Sequence, residues 1–459
     1  MNQPQIERVA CKLQRFERDL DAMLFRTVGE LDFGVYLTRE REHSVPSVQF
    51  GPCGPGYSWG GAGQYVWFRG TYRVPAELDG KRLFIMPQFG GYEGFLYVNG
   101  EPFGNFAQRI TFTAHGNHYC KMFAMQAKAG EVYDLAVECY AGHDYSGKMP
   151  EDDYCRSDFR YTVGTCKICT KNEDVWDFYY NLKVLNELWA ASEPDTFVRG
   201  RLANVLLDLD KALYLSIADC AEETFVAAIK EANAILRRAL YESGRGSHGC
   251  GEARIIGHSH MDTAWLWTID ETVVKCARTY ANQLALMDQY PEYLFIQSSP
   301  YHTELMRRYY PSLFERMKER IKEGRYELNG GAWIECVCNG TGGESMIRQF
   351  VWGQRYLQQQ FGVQSNTFWL PDTFGYSGAI PQIMKGCGID YFCTTKMEWA
   401  DIDEFPCETF IWKGIDGTSV FSHFNKTNLA PAPQDLITYV SKPHFRNIRR
   451  RDVTQMRLI

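Results

Sequence analysis

Arg254-Ile-Ile-Gly-His258-Ser-His260-Met-Asp262-Thr-Ala-Trp265-Leu-Trp267 is the stretch around which the chain is organised. Ile255 and Ile256 make a short apolar run between Arg254 and Gly257, the pattern of a buried parallel strand. Two histidines, an aspartate and two tryptophans follow at once. A helical pattern then runs from Asp270 to Tyr290 and stops at Pro291. Strand, polar-aromatic loop and helix form the first unit of an α/β fold, in which ligand-handling residues gather at the carboxyl ends of strands. His260 and Asp262 are two apart, so in an extended loop both side chains can face the same way. Imidazole nitrogen beside carboxylate oxygen suits zinc or a similar divalent ion. The plainer reading is a pair of polar loop residues capping the helix.

The same unit recurs downstream. Tyr293–Gln297 reads as a strand, Thr303 to Glu323 as a helix stopped by Gly324, and Arg325–Leu328 as a strand leading into a loop that carries Trp333 and Glu335. Glu344 to Phe361 is helical, with Ile347, Phe350, Val351 and Tyr356 on one side. Thr367–Leu370 is a strand followed by Pro371-Asp372-Thr-Phe-Gly-Tyr376, then a short helix to Gly386 and the strand Tyr391–Thr394. Alternation at this spacing predicts a mostly parallel sheet or barrel. His260, Asp262, Trp333, Glu335 and Asp372 all fall just past strands, so they are expected to converge on one face, the metal ligands taking polar atoms and the tryptophans offering flat rings to a sugar.

Upstream, residues 3–30 carry a helical period (Ile6, Val9, Leu13, Phe16, Leu20, Met23, Leu24). From about Val45 the pattern changes to short aromatic and β-branched runs, with a hairpin signal at Asn99-Gly100. These runs predict an antiparallel β-sandwich. Trp59, Tyr65, Trp67 and Tyr92 could stack on sugars, but aromatics in strands more often form core. Residues 174–243 return to three helical segments that read as a connector.

With 459 residues the chain is too long for one ordinary core. A net charge of −7 and the lack of a basic block argue against nucleic acid as a partner. No run is long enough to span a membrane. The fifteen cysteines show no regular pairing and Met1 is followed by polar residues, which together predict reduced thiols and a cytoplasmic location.

Three separated motifs arrive in order: His258-Ser-His260-Met-Asp262-Thr-Ala-Trp265, Gly330-Gly-Ala-Trp-Ile-Glu335 with Gly343-Glu-Ser-Met-Ile-Arg-Gln349, and Trp369-Leu-Pro-Asp372-Thr-Phe-Gly-Tyr376. Together they resemble glycoside hydrolase family 38 α-mannosidases of the cytosolic/vacuolar type, over residues 50 to 425. The resemblance implies that His260, Asp262 and Asp372 hold Zn2+ or another divalent cation such as Co2+. It also implies that Trp265 stacks on mannose and that Asp372 is the nucleophile of a retaining hydrolase acting on terminal α-D-mannosyl residues of oligosaccharides. In such an enzyme the metal grips sugar hydroxyls rather than making hydroxide.

The implied architecture is a multidomain α+β protein. It comprises a helical segment (1–40), a galactose-binding-like β-sandwich (41–173), a helical connector (174–249), an incomplete (β/α) barrel-like catalytic domain (250–430) and a basic, non-family tail (431–459). The family's fourth ligand, a histidine followed by aspartate, and its acid/base aspartate have no counterpart here. After Asp372 only His423 and His444 occur, and neither precedes aspartate. The expectation is therefore a chain truncated within the catalytic domain, with weak metal binding and poor turnover, unless His423 has taken the vacant ligand position. A non-catalytic sugar- or metal-binding remnant is the second reading. A third is an amidohydrolase-type metal enzyme using His258-Ser-His260, which would need His258 as a ligand; otherwise His258 is expected to support the loop by donating a hydrogen bond. A homo-oligomer is compatible with all of these.

Overall fold

β-branched and aromatic residues dominate the runs between glycines in the N-terminal part, and they pair into antiparallel ladders. In this computed structural model, residues 3–91, 93–107, 119–141, 160–213, 220–242, 255–265, 267–398, 402, 405, 408–424 and 432–441 are described. The first twelve strands are β1 (Phe25–Glu30), β2 (Gly34–Thr38), β3 (Gly51–Pro52), β4 (Ser58–Trp59), β5 (Tyr65–Arg73), β6 (Leu83–Pro87), β7 (Glu93–Val98), β8 (Glu101–Ala107), β9 (Lys121–Ala124), β10 (Val132–Tyr140), β11 (Tyr161–Thr162) and β12 (Cys166–Lys171). A four-stranded sheet runs β1-β12-β6-β9, a six-stranded sheet runs β3-β2-β5-β10-β7-β8, and β11 pairs with β4. The Asn99-Gly100 signal is a tight turn, with φ of 53° and 85° at the two residues, joining Val98 to Glu101.

The six-stranded sheet is buried on both faces. Val66, Phe68, Leu96 and Val137 point at the four-stranded sheet, where they meet Leu83, Ile85 and Ile168. Trp67, Phe95, Tyr97 and Ala136 point the other way and pack on helices of the α/β portion. That explains why Tyr65-Val-Trp-Phe68 lacks polar alternation. It also decides the aromatics considered for sugar stacking. Trp59, Tyr65 and Trp67 are buried core residues, and Tyr92 lies outside the described residues.

The helical reading of residues 3–30 holds only to Leu20. Helix α1 spans Gln3–Leu20, after which β1 and β2 join the two sheets, because ladder partners on β12 and β5 outweigh the local helical period. Helices α2 (Glu173–Ala191), α3 (Phe197–Ala212) and α4 (Glu222–Arg237) match the three expected segments. Val9, Leu13 and Leu20 of α1 share a core with Phe178, Leu182, Leu206, Phe225 and Ile229. The N-terminal helix and the connector therefore form one packed helical body.

In the α/β portion, β13 (Gly257–His258), β14 (Phe295–Gln297) and β15 (Tyr326–Leu328) form one parallel ladder. A second sheet contains β16 (Thr367–Leu370), β17 (Tyr391–Thr394), β18 (Thr409–Lys413) and β19 (Ser419–Phe424), in the order β16-β17-β19-β18. Its β16, β17 and β19 are parallel, and β18 returns antiparallel to β19. Among the described residues these strands do not close into a barrel. Strand β13 starts later than the isoleucine run suggested. Ile256 packs against Ile296, Trp369 and Cys393, whereas Ile255 is 54% exposed.

The helices are α5 (Ile269–Gln289), α6 (Pro300–Tyr309), α7 (Pro311–Lys322), α8 (Gly343–Phe361), α9 (Ile380–Gly386) and α10 (Pro433–Ser441). The single helix expected over 303–323 is broken at Tyr310, because Pro311 disfavours helical backbone in the residue before it and opens α7 instead. On α8 the buried face is Met346, Phe350, Gly353, Tyr356 and Leu357, so Ile347 lies outside it. Among the described residues no helix is long and apolar enough to cross a membrane.

Candidate active site

Parallel strands deliver their following loops to one edge, and that is where the motif residues meet. His260 and Asp262 follow β13, Glu335 follows β15, and Asp372 follows β16. Ligand-capable atoms of His260, Asp262 and Asp372 lie within 4.8 Å of one another. His260 Nε2 is 3.5 Å from Asp262 Oδ1 and 3.9 Å from Asp372 Oδ2. That nitrogen is buried and has no hydrogen-bond partner in the protein.

The loop bearing His260 and Asp262 is held by side chains of the flanking helices. Buried His302 of α6 has Nδ1 at 3.0 Å from Gln297 Nε2 and Nε2 at 3.1 Å from Thr263 Oγ1. The Gln297 amide N–H must donate, so His302 donates from Nε2 to Thr263. Burial pushes the His302 imidazole down to about 3, which keeps it neutral. Thr272 of α5 donates to the Thr263 carbonyl at 2.6 Å and accepts from Trp267 Nε1 at 3.1 Å.

Glu335 connects the two halves of the site. It sits on a loop whose Gly330 and Gly331 take φ of 140° and 68°. Helix α8 packs so closely on this loop that a Cβ at Gly353 would lie 2.6 Å from the Gly331 carbonyl. Glu335 Oε2 lies 3.3 Å from His260 Nδ1. Its Oε1 accepts the Asp372 backbone N–H at 2.6 Å and the Thr373 hydroxyl at 3.2 Å. Burial raises the Glu335 carboxyl above its ordinary value, opposed by His260 and by the Asp372 N–H. His260 thus has Nδ1 on the Glu335 side of its ring and Nε2 on the side of the two aspartates. Lys396, just past β17, donates from Nζ to Asp372 Oδ1 at 2.6 Å. Tyr376 braces the Asp372 loop, donating to the Thr373 carbonyl at 2.7 Å and lying 2.6 Å from Thr394 Oγ1.

Trp265 stands at the mouth, 68% exposed and edge-on to Trp267 at 5.6 Å. Trp333 turns away from the opening and packs on Tyr356 and Tyr301 at 5.2 and 5.6 Å. His258 is outside the ligand group. It stacks on Trp369 at 4.6 Å, and burial with the neighbouring His260 pushes it down to about 3. The hydrogen bond expected from it is not made by Nε2, which has no partner; stacking holds the ring instead. His423 is not brought to the three ligands, and its Nδ1 lies 2.8 Å from Thr409 Oγ1 across the β18–β19 hairpin. His444 and the rest of the expected tail from 442 onward lie outside the described residues. The sequence brings Glu335 to the converging edge without assigning it a role, and it assigns none to Lys396. Its signal was the same one that marked Asp372: a polar residue directly after a strand of the parallel sheet.

Residues 251–452 match the Glycosyl hydrolases family 38 N-terminal domain, so the match runs through most of the stretch from 431 expected to lie outside the family. Alpha-mannosidase G of Dictyostelium discoideum is 31% identical over 80% of this chain and 33% of its own length. Alpha-mannosidase 2C1 of Homo sapiens is 33% identical over 85% of this chain and 36% of its own length. The alpha-mannosidase of Saccharomyces cerevisiae is 36% identical over 49% of this chain and 21% of its own. The chain thus spans about a third of the length of the first two of these relatives. With the site motifs in order and these relatives along most of its length, the chain belongs to glycoside hydrolase family 38.

Proposed function

We propose that this chain carries the metal-binding and nucleophilic part of a retaining α-mannosidase acting on terminal α-D-mannosyl residues of oligosaccharides. The observation that supports it most is Asp372: a carboxylate with one oxygen toward His260 and Asp262 and the other on Lys396. One imidazole and two carboxylates at this spacing fit a divalent ion such as Zn2+ or Co2+, and the unpartnered, buried His260 Nε2 fits the same role. His260, Asp262 and Asp372 would hold the ion, which when bound grips sugar hydroxyls and favours a distorted ring.

In this reading Asp372 attacks the anomeric carbon as the glycosidic C–O bond breaks and the aglycone leaves with the bonding pair, and water then hydrolyses the glycosyl-enzyme to mannose, restoring the Asp372 carboxylate. Lys396 fixes the orientation of that carboxylate, and Trp265 offers a flat apolar face to the sugar. Glu335 does not serve as the general acid. Its Oε1 is committed to accepting two hydrogen bonds and its Oε2 faces His260. Because no described residue at the site fills the acid role, a non-catalytic sugar- or metal-binding role is the second reading. No disulfide joins the described cysteines to one another, which supports a cytoplasmic location.

Two measurements test the proposal. The 459-residue chain is titrated with Zn2+ and assayed on an aryl α-mannoside whose leaving group needs no protonation. Bound zinc with zinc-dependent turnover supports the mannosidase reading; zinc binding without turnover supports the second. In a turning-over preparation, Trp265→Ala is expected to raise KM by roughly 3- to 10-fold, the equivalent of a lost stacking contact. An unchanged KM would show that Trp265 does not touch the sugar.

A further inference from the structure

The seam between the six-stranded sheet and α5 holds more carboxylates than cations. Glu138 of β10 sits between Trp67 of β5 and Phe95 of β7 in the ladder, on the face that carries Ala136 toward α5. It is fully buried, and neither carboxylate oxygen has a hydrogen-bond partner. The cations facing it are already engaged. Arg278 of α5 lies 2.6 Å from Glu93 of β7 and 3.7 Å from Glu271 of α5. Arg41, from the loop after β2, bonds Glu271 and the Tyr65 hydroxyl.

The remaining titratable neighbours supply no positive charge. His43 bonds Tyr310 at 3.1 Å, and burial together with Arg41 pushes its imidazole down. Tyr65, Tyr97, Tyr140 and Tyr310 are pushed up by burial and remain neutral phenols. Glu42 adds a further negative charge from the loop. Two guanidiniums balance Glu93 and Glu271, and Glu138 is left without a counter-charge.

We propose that Glu138 is a neutral carboxylic acid in the folded protein, and that raising the pH until it ionises loosens the seam between the six-stranded sheet and α5. An ionised carboxylate buried there without a donor would be costly. Burial is the main cause raising its proton affinity, aided by Glu271 and Glu42 and opposed by Arg278 and Arg41; the carboxyl is pushed up to about 7 from an ordinary 4.5. The folded state therefore binds this proton more tightly than the unfolded chain. The resulting stabilisation is complete below about pH 4.5 and is lost as the pH rises through about 7. Because α5 follows directly on the loop bearing His260 and Asp262, the loosening reaches the candidate active site.

Glu138→Gln mimics the neutral acid and cannot ionise. Denaturant unfolding of the full chain and of E138Q is compared from about pH 5 to about pH 9. The unfolding constant of the wild type relative to E138Q should rise about tenfold per pH unit up to about pH 7 and then level off. A ratio that stays flat across that range overturns the proposal. If E138Q does not fold, E138M and E138L are compared in the same way. A chain that folds with none of these neutral side chains needs the charge, and that result also overturns the proposal.

Discussion

Asp372→Asn is expected to reduce turnover of an activated aryl α-mannoside by roughly 10⁴- to 10⁶-fold, the scale seen when an enzyme loses its nucleophile. The same substitution should weaken zinc binding by at least about 100-fold, since removing a ligand should cost no less than removing its outer-shell support. The two losses are expected together because one side chain serves both purposes: Oδ2 faces His260 Nε2 and Oδ1 is held by Lys396. Asparagine keeps the shape and backbone contacts, so the Glu335–Asp372 N–H bond survives and the loop stays in place. Isothermal titration with Zn2+ and a fluorogenic mannoside assay on the same preparation read the two effects. Lost turnover with intact zinc affinity would make Asp372 a nucleophile without ligand duty. No change in either would remove it from both roles.

The second large effect is expected at Glu335, which touches neither sugar nor metal in the proposed arrangement. Glu335→Ala should lower zinc affinity by about 10- to 100-fold, as loss of a carboxylate behind a ligating histidine does elsewhere. Two contacts go at once: the one that turns His260 Nε2 toward the aspartates, and the one that pins the Asp372 N–H. Far-ultraviolet circular dichroism should be unchanged, because the loop is also held by Trp333 N–H on the Gln349 carbonyl and by Ile334 N–H on its side chain. Zinc affinity within about twofold of the wild type would show that His260 is oriented by other groups.

Local sequence was enough for features whose cause is local. The strand-loop-helix units, the Asn99-Gly100 turn and the three ligand candidates His260, Asp262 and Asp372 each carry their markers within a few residues. Convergence of the three could be expected because parallel strands send successive loops to the same edge. The break at Pro311 is equally local in cause, since a proline disfavours helical backbone in the residue before it.

Other features depend on partners distant in the chain, and only the tertiary structure decided them. Residues 25–38 fall within the segment expected to be helical (1–40) yet form strands, because β12 and β5 offer them ladders. Trp67 is core rather than a sugar platform because helices of the α/β portion cover the second face of its sheet. His258 and His260 are two residues apart and chemically identical, yet one stacks on Trp369 and the other faces two aspartates. Lys396 gained a role only when β17 came to lie beside β16 and its ammonium reached Asp372. Periodicity and turn chemistry are properties of neighbouring residues, so the chain alone determined which segments are strands, loops and helices wherever no distant partner competed. Burial, charge balance and ligand geometry are properties of what packs against a side chain, and for Glu335, Lys396 and Glu138 those neighbours come together only in the folded protein.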